Sequence, residues 1–279
     1  MNDAERQKFY RNVILDDETI KEIEQVIDAD KRKTYKEWGL DNSNGLLLYG
    51  PPGTGKTTLA KQIAKLNGYG FLHESGSRFV EKYVGVGPKR MEGLFYKAKK
   101  MSRENGNMPV IVFIDEIDSI GCKRTEETNK EITNTLNQLF VELDGFDSNS
   151  NIITIAATNR FDILDEALVR PGRFDKKVKV GLPKQREREA LFKLFGSKIK
   201  KKSKLPYRKF AEISKGLSGA DIELIIREAT MRAIDSNKDK LTPSDVYAII
   251  EKKIGKKKKT ENKRIGYKVE SVLVENNVI

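Results

Sequence analysis

Residues 50–57 are Gly50-Pro51-Pro52-Gly53-Thr54-Gly55-Lys56-Thr57, a stretch that fits the phosphate-binding pattern G-x-x-x-x-G-K-[ST] in full. The apolar residues 46–49 before it predict a short buried strand, and residues 58–66 after it have helical spacing. In such a strand–loop–helix unit the glycines let backbone N–H groups wrap phosphate oxygens, and the helix start adds partial positive charge. We therefore expect Lys56 to reach the β- and γ-phosphates of a nucleotide and the Thr57 hydroxyl to ligate Mg²⁺.

Composition narrows the class of protein. A chain of 279 residues with 38% hydrophobic and 34% charged residues suits a globular protein of one large or two modest domains. No apolar run approaches the roughly 18 residues that a membrane span needs, and the polar first residues do not resemble a secretory signal. The single cysteine, Cys122, excludes an intrachain disulfide, and the single histidine, His73, excludes a two-histidine zinc protease site within this chain. We expect a cytoplasmic protein.

The net charge of +12 is concentrated near the end of the chain. Residues 252–268 hold nine Lys or Arg against one Glu. Such a run can contact nucleic acid or an anionic membrane, but it is more often a solvated tail. Tyr267 is its only aromatic residue, whereas binding of single strands favours several stacking rings. The solvated tail is therefore the favoured interpretation.

A second strand carries acidic residues at its end. Residues 110–114 form a continuous apolar run, as in a central parallel strand buried on both faces, and Asp115 and Glu116 follow at once. The carboxyl end of such a strand lies beside the phosphate loop in an open α/β sheet. There Asp115 can hold the shell of Mg²⁺, and Glu116 can act as the general base for an attacking water.

Two further segments are candidates for the same edge or for a partner. The apolar run 151–158 predicts another buried strand, whose polar tip Asn159 then lies near Asp115. Arg170 and Arg173 flank a Pro-Gly turn, which suits bidentate contact with phosphate or is an ordinary surface turn. Tyr83 and Val84 precede two glycines, and local sequence leaves open whether they pack in the core or grip a ligand from an exposed loop.

The pattern predicts an α/β fold: a three-layer αβα domain with a parallel sheet, followed by a small all-helical lid domain. The first helix is expected from Asp16 or Asp17 to about Trp38, and the first lid helix from Pro183. Ser218-x-x-Asp221 predicts a capping box for a later helix. The predicted domains are residues 1–182, with a poorly ordered start at 1–12, then 183–254, and a basic tail at 255–279.

Four ordered motifs together resemble the AAA family of ring ATPases. They are the phosphate loop, Phe-Ile-Asp-Glu-Ile-Asp at 113–118, Ala-Thr-Asn-Arg at 157–160 and Arg-Pro-Gly-Arg-Phe-Asp at 170–175. The resemblance covers roughly residues 40–250. Residues 83–87 and 135–139 are most similar to the ATPase module of FtsH-type membrane proteases, whereas the entry segment is less so, and the subfamily stays open.

The resemblance implies a role for each matching residue. It implies catalytic roles for Lys56, Glu116, Asn159, Arg170 and Arg173, the two arginines acting on the nucleotide of a neighbouring subunit. It implies Mg²⁺ ligation by Thr57 and Asp115, intersubunit signalling by residues 144–146, and substrate contact by the pore-loop residues Lys82, Tyr83 and Val84. The ATP-binding set is Gly50, Pro51, Pro52, Gly53, Thr54, Gly55, Lys56, Thr57, Thr58, Asp115, Gly219 and Ala220.

The expected function is that of an Mg²⁺- and ATP-dependent unfoldase that threads polypeptide past Tyr83 as a homo-hexamer, working with an adaptor or a protease partner. The chain is expected to hydrolyse ATP and not to be a protease on its own. Two alternatives stay open. One is the isolated ATPase module of a larger FtsH-type membrane protease. The other is a nucleotide switch that binds nucleic acid through residues 252–268.

Overall fold

The computed structural model of the chain describes residues 17–28, 34–35, 37–39, 45–80, 85–123, 130–145 and 151–255. The chain forms two compact units that divide after Gly181. In the described residues, no helix combines the length and the apolar character that a membrane crossing requires.

The first unit is built on a parallel sheet of five strands. Its strand order is β2-β3-β4-β1-β5, and every neighbouring pair is parallel. The apolar runs of β3 and β4 are buried, as expected for strands covered on both faces. The predicted α/β class with a parallel sheet is confirmed. The strands are β1 (Gly45–Tyr49), β2 (Gly70–Ser75), β3 (Val110–Asp115), β4 (Ile152–Thr158) and β5 (Lys176–Lys179).

Helices cover both faces of this sheet, which gives the predicted three layers. One apolar core joins the sheet to α3 and α4, and a second joins it to α1 and α2. The alternation of side chains along β1 serves both cores, with Leu47 in the first and Leu46 and Leu48 in the second. The helices are α1 (Asp17–Ile27), α2 (Lys56–Asn67), α3 (Val86–Glu104) and α4 (Lys130–Asp144).

Helix α1 is shorter than the sequence predicted. It ends at Ile27, and Asp28 lies outside it. Helical backbone is found again at residues 34, 35 and 37. The buried face of α1 consists of Ile20, Ile23, Val26 and Ile27, and five of the next six residues, at 28–33, are charged. Because packing of an apolar face supplies most of the stability of a helix in a protein, the loss of that face ends the helix.

The second unit is helical and has its own core. Phe192, Phe210, Ile225 and Val246 lie at the centre of its apolar cluster. The capping box predicted at Ser218 and Asp221 is confirmed at the start of the third of these helices. The helices are α5 (Gln185–Ser197), α6 (Tyr207–Ile213), α7 (Gly219–Asp235) and α8, residues 243–255.

The first lid helix begins two residues later than predicted. Lys184 is its N-cap, because the Glu187 side chain reaches back to accept a hydrogen bond from the Lys184 N–H at 2.7 Å. Pro183 therefore precedes the helix, and its carbonyl accepts a hydrogen bond from Arg188 Nη1 at 2.8 Å.

Arg173 fastens the end of α4 to the turn that leads into β5. Its Nε and Nη2 donate to the two carboxylate oxygens of Asp144 at 2.8 and 2.7 Å, and its Nη1 donates to the Ala167 carbonyl at 3.0 Å. The guanidinium also lies 3.8 Å from the centre of the Phe140 ring. The bidentate bond from Arg173 lowers the pKa of Asp144. Arg173 therefore stabilises the packing of its own chain.

Arg170, the other arginine of the same turn, differs from Arg173. Its side chain is exposed, whereas the Arg173 side chain is only 18% exposed. The two arginines that the sequence paired are therefore in different environments, and only Arg173 contributes to this packing.

We predict that Arg173→Ala lowers the free energy of unfolding by about 1–2 kcal/mol. This is less than a fully buried charged hydrogen bond would cost, because Asp144 is half exposed. The matched control Arg170→Ala should change it by less than about 0.5 kcal/mol. Urea denaturation measures both, and equal losses would show that Arg173 does not have the anchoring role.

The same pair predicts a pH dependence. Since the pKa of Asp144 is lowered on folding, its contribution to stability is present above its ordinary value of 3.8 and is lost as the pH falls through the folded value. The difference in stability between the wild type and Asp144→Asn should therefore be full at neutral pH and shrink in acid below 3.8.

Candidate active site

The glycine-rich loop between β1 and α2 has a backbone conformation and close contacts that require glycine. Gly50, Gly53 and Gly55 have φ angles of 146°, 75° and 94°, which L-residues with a Cβ rarely adopt. A Cβ at Gly50 would lie 2.2 Å from the Val180 carbonyl oxygen. This backbone leaves the space and the conformational freedom that a phosphate-binding loop requires.

Lys56, the first residue of α2, is held firmly at this loop. Its side-chain amine donates to the carbonyls of Gly50 and Pro51 at 2.8 and 2.9 Å, and to Oδ1 of Asn159 at 2.7 Å. Burial lowers the pKa of Lys56, and the negative charges of Asp115 and Asp118 oppose that shift. All three amine protons therefore have acceptors at the carboxyl edge of the sheet.

Thr57 and Asp115 meet at the same edge. The Thr57 hydroxyl, at the start of α2, donates to Oδ2 of Asp115, at the end of β3, at 2.6 Å. Hydroxyl and carboxylate oxygens are the hard ligands that Mg²⁺ prefers. This donor set and the glycine cradle beside it fit Mg²⁺ and the phosphates of a nucleotide.

Glu116 has an unusual backbone conformation next to this pair. Its φ of 51° lies in the left-handed region, which is uncommon for a residue other than glycine. Residues held in sparsely populated backbone conformations tend to cluster at active sites. Two hydrogen bonds hold its carbonyl, from the N–H of Ser119 at 3.0 Å and from the Ser119 hydroxyl at 2.7 Å. The side chain is exposed, and Ser75 Oγ lies 3.4 Å from its Oε2. The carboxylate is therefore accessible at the rim of the site.

Asp118 is a residue of the site to which sequence reasoning gave no role. Its Oδ1 accepts a hydrogen bond from the Thr158 hydroxyl at 2.6 Å, and the same hydroxyl accepts one from the Arg160 N–H at 2.9 Å. These bonds hold the residues on both sides of Asn159 and so orient it toward Lys56. The available signal was the position of Asp118, three residues beyond Asp115 in a strand-end acidic cluster.

The predicted residues Pro51, Pro52 and Thr54 belong to the glycine-rich loop, and Thr58 lies in α2. Gly219 and Ala220 are the first residues of α7, behind the Ser218 cap, in the second unit. Arg170 is exposed and Arg173 is bound to Asp144. Residues 82–84, including Tyr83, lie outside the described residues, as does Phe146. The structure thus brings together Lys56, Thr57, Asp115, Glu116 and Asn159.

Comparison with known proteins agrees with this geometry. The family model for the ATPase family associated with various cellular activities (AAA) matches residues 46–182, and that for the AAA+ lid domain matches residues 205–248. The two matches coincide with the sheet that carries the site and with the core of the helical unit.

Relatives of two kinds are similar to the chain over most of its length. The ATP-dependent zinc metalloprotease FtsH 2 of Thermoanaerobacter sp. (strain X514) is 42% identical over 90% of the chain. The proteasome-activating nucleotidase of Methanocella arvoryzae is 42% identical over 86%, and the FtsH of Mycoplasma genitalium is 41% identical over 84%. The chain spans 48%, 58% and 33% of the lengths of these three relatives, in that order.

The fold and the similarities to known proteins indicate the same family. The chain carries an AAA ATPase domain with its lid, related to the ATPase modules of FtsH and of proteasome-activating nucleotidases, and it belongs to the AAA family of ATP hydrolases.

Proposed function

We propose that this chain is the subunit of a ring that uses ATP hydrolysis to unfold polypeptides and thread them through its centre. The main support is the pair of hydrogen bonds from Lys56 to Asn159 and from Thr57 to Asp115, because these residues together suit the binding of phosphate and Mg²⁺. The names of the relatives support the protein-unfolding part, since one is an ATP-dependent metalloprotease and the other activates a proteasome. A protease partner or an adaptor fits this role.

The residues of the site have separate tasks in the proposed hydrolysis. Thr57 and Asp115 would hold Mg²⁺, which would supply positive charge next to the phosphate groups. Lys56 neutralises charge on the β- and γ-phosphates, and the Glu116 carboxylate accepts a proton from the attacking water. Asn159, held by Lys56 and by the turn that Asp118 fixes, orients that water.

A second copy of the chain completes the site in this proposal. Charge on the transferring phosphoryl group needs an arginine, which is worth about 10³–10⁵ in rate when it is supplied in trans. Arg170 suits this task because its side chain is exposed, whereas Arg173 is engaged by Asp144 and Ala167. We therefore assign the direct contact to Arg170 and a supporting role to Arg173, in a homo-hexamer.

Lys82, Tyr83 and Val84 are proposed to contact the threaded polypeptide. An aromatic side chain offers a large apolar surface that is indifferent to the sequence it grips. Movement of this segment with each hydrolysis event would then pull the substrate.

We predict that Glu116→Gln binds ATP but hydrolyses it about 10²–10⁴-fold more slowly, because the base is lost while the phosphate contacts stay. Phosphate release measures hydrolysis, and a fluorescent ATP analogue measures binding. The control Glu166→Gln changes an exposed glutamate that forms an ion pair with Lys123, and it should behave as the wild type. Hydrolysis by Glu116→Gln at the wild-type rate would refute the base assignment.

We predict that Tyr83→Ala hydrolyses ATP but no longer unfolds a tagged fluorescent reporter, because the gripping side chain is missing. Tyr96→Ala is the matched control, since Tyr96 is an exposed tyrosine of α3 that the proposal gives no part in threading. Reporter fluorescence and phosphate release are followed in one experiment. Unfolding that survives in Tyr83→Ala would contradict the threading role.

A further inference from the structure

A buried glutamate joins the beginnings of two helices in the first unit. Glu131, the second residue of α4, is 4% exposed. Its Oε1 and Oε2 accept hydrogen bonds from the backbone N–H of Gly85 at 3.1 and 3.0 Å, and its Oε1 accepts a further one from the N–H of Gly87 at 3.1 Å. A carboxylate at this position satisfies N–H groups that a helix start leaves without partners and complements the positive end of the helix dipole.

The first turn of α3 is closely packed at Gly87. A Cβ at Gly87 would lie 2.3 Å from the Thr135 hydroxyl and 2.5 Å from the Phe79 carbonyl oxygen. Thr135 belongs to α4, and its hydroxyl in turn donates to the Glu131 carbonyl at 2.9 Å. The first turn of α3 is therefore fixed to α4 both by charged hydrogen bonds and by close packing.

The other side of the same chain segment is fixed as well. Arg90 of α3 donates to the Arg78 carbonyl at 2.8 Å, and Phe79 is buried in the core. Ser75, directly before this turn, lies 3.4 Å from the Glu116 carboxylate. The described chain thus leads from beside Glu116, through the turn Gly76–Phe79, to Val80, and it resumes at Gly85, where Glu131 holds it.

We propose that Glu131 is a positioning residue that anchors the end of the segment carrying Tyr83, so that a change at Glu116 is converted into movement of Tyr83. This inference rests on the proposed threading function. Without the anchor, the segment would yield under load while the nucleotide site, built from other residues, continued to turn over.

Glu142 provides a matched comparison on the same helix. It is also buried, and its Oε2 accepts from Lys99 of α3 at 3.0 Å, while its Oε1 accepts from Gln138 at 3.2 Å. It therefore joins the same two helices with a carboxylate, but at the far end of α4 and without contact to the first turn of α3. Loss of either glutamate weakens the same helix pair, and only loss of Glu131 frees Gly85 and Gly87.

The experiment compares Glu131→Ala, Glu131→Gln and Glu142→Ala with the wild type in the assembled protein. It measures phosphate release, the number of ATP molecules consumed per reporter unfolded, and hydrogen exchange of the amides at residues 85–87. Glu131→Ala removes the acceptor of two backbone N–H groups, and the loss of even one charged hydrogen bond lowers the equilibrium constant for the anchored arrangement about tenfold. Glu131→Ala should therefore raise the exchange at residues 85–87 about tenfold or more. It should also raise the ATP consumed per reporter, with phosphate release near that of the wild type.

Glu131→Gln keeps an oxygen acceptor and should recover most of the coupling, while Glu142→Ala should leave both readouts near the wild-type values. Equal effects of Glu131→Ala and Glu142→Ala on the ATP consumed per reporter would overturn the inference and leave Glu131 a structural residue. Coupling unchanged in Glu131→Ala, with faster exchange at residues 85–87, would also overturn it. If the wild type unfolds no reporter, the threading function itself fails, and the coupling role fails with it.

Discussion

The candidate site depends on the hydrogen bonds that the first two residues of α2 form at the carboxyl edge of the sheet. Lys56 bonds Asn159 at the end of β4, and Thr57 bonds Asp115 at the end of β3. Strand β4 lies between β1 and β3, so one helix start reaches the ends of two strands beyond the one that precedes it. The strand order thus gathers residues separated by 58 and 103 positions in the chain into one site. Without that order, neither Asp115 nor Asn159 would lie beside the glycine-rich loop.

Arg170 and Arg173 belong to one sequence motif, but their side chains have different environments in the structure. The guanidinium of Arg173 contacts Asp144, the Ala167 carbonyl and the face of the Phe140 ring, and these contacts stabilise the end of α4. That contact holds the backbone of the turn, and Arg170 is left exposed on it. In the proposed ring, one arginine builds the turn and the other uses it to reach the nucleotide of a neighbouring copy.

Much of the fold and of the central site could be predicted from the sequence, because both rest on local patterns. Buried parallel strands are recognised as continuous apolar runs, and the phosphate loop is recognised by its residue types at fixed spacing. Contacts between distant elements were not predictable. The bonds of Asp144 with Arg173, of Asp118 with Thr158 and of Glu131 with Gly85 depend on how packed elements align, and no local pattern in the sequence pairs these residues. The predicted length of α1 was wrong for the same reason, since the packed face, and not helix propensity, sets its end.

Mixing of two inactive variants shows whether Arg170 of one copy completes the ATP site of another, as proposed. Lys56→Ala lacks the phosphate-binding amine and Arg170→Ala lacks the proposed trans arginine, so neither alone should hydrolyse ATP. In an equal mixture, about a quarter of the interfaces should pair an intact Lys56 with an intact Arg170 from the neighbour. Phosphate release by the mixture should therefore return to roughly that fraction of the wild-type rate. A mixture that stays inactive, or an Arg170→Ala protein that hydrolyses ATP at the wild-type rate, would contradict it.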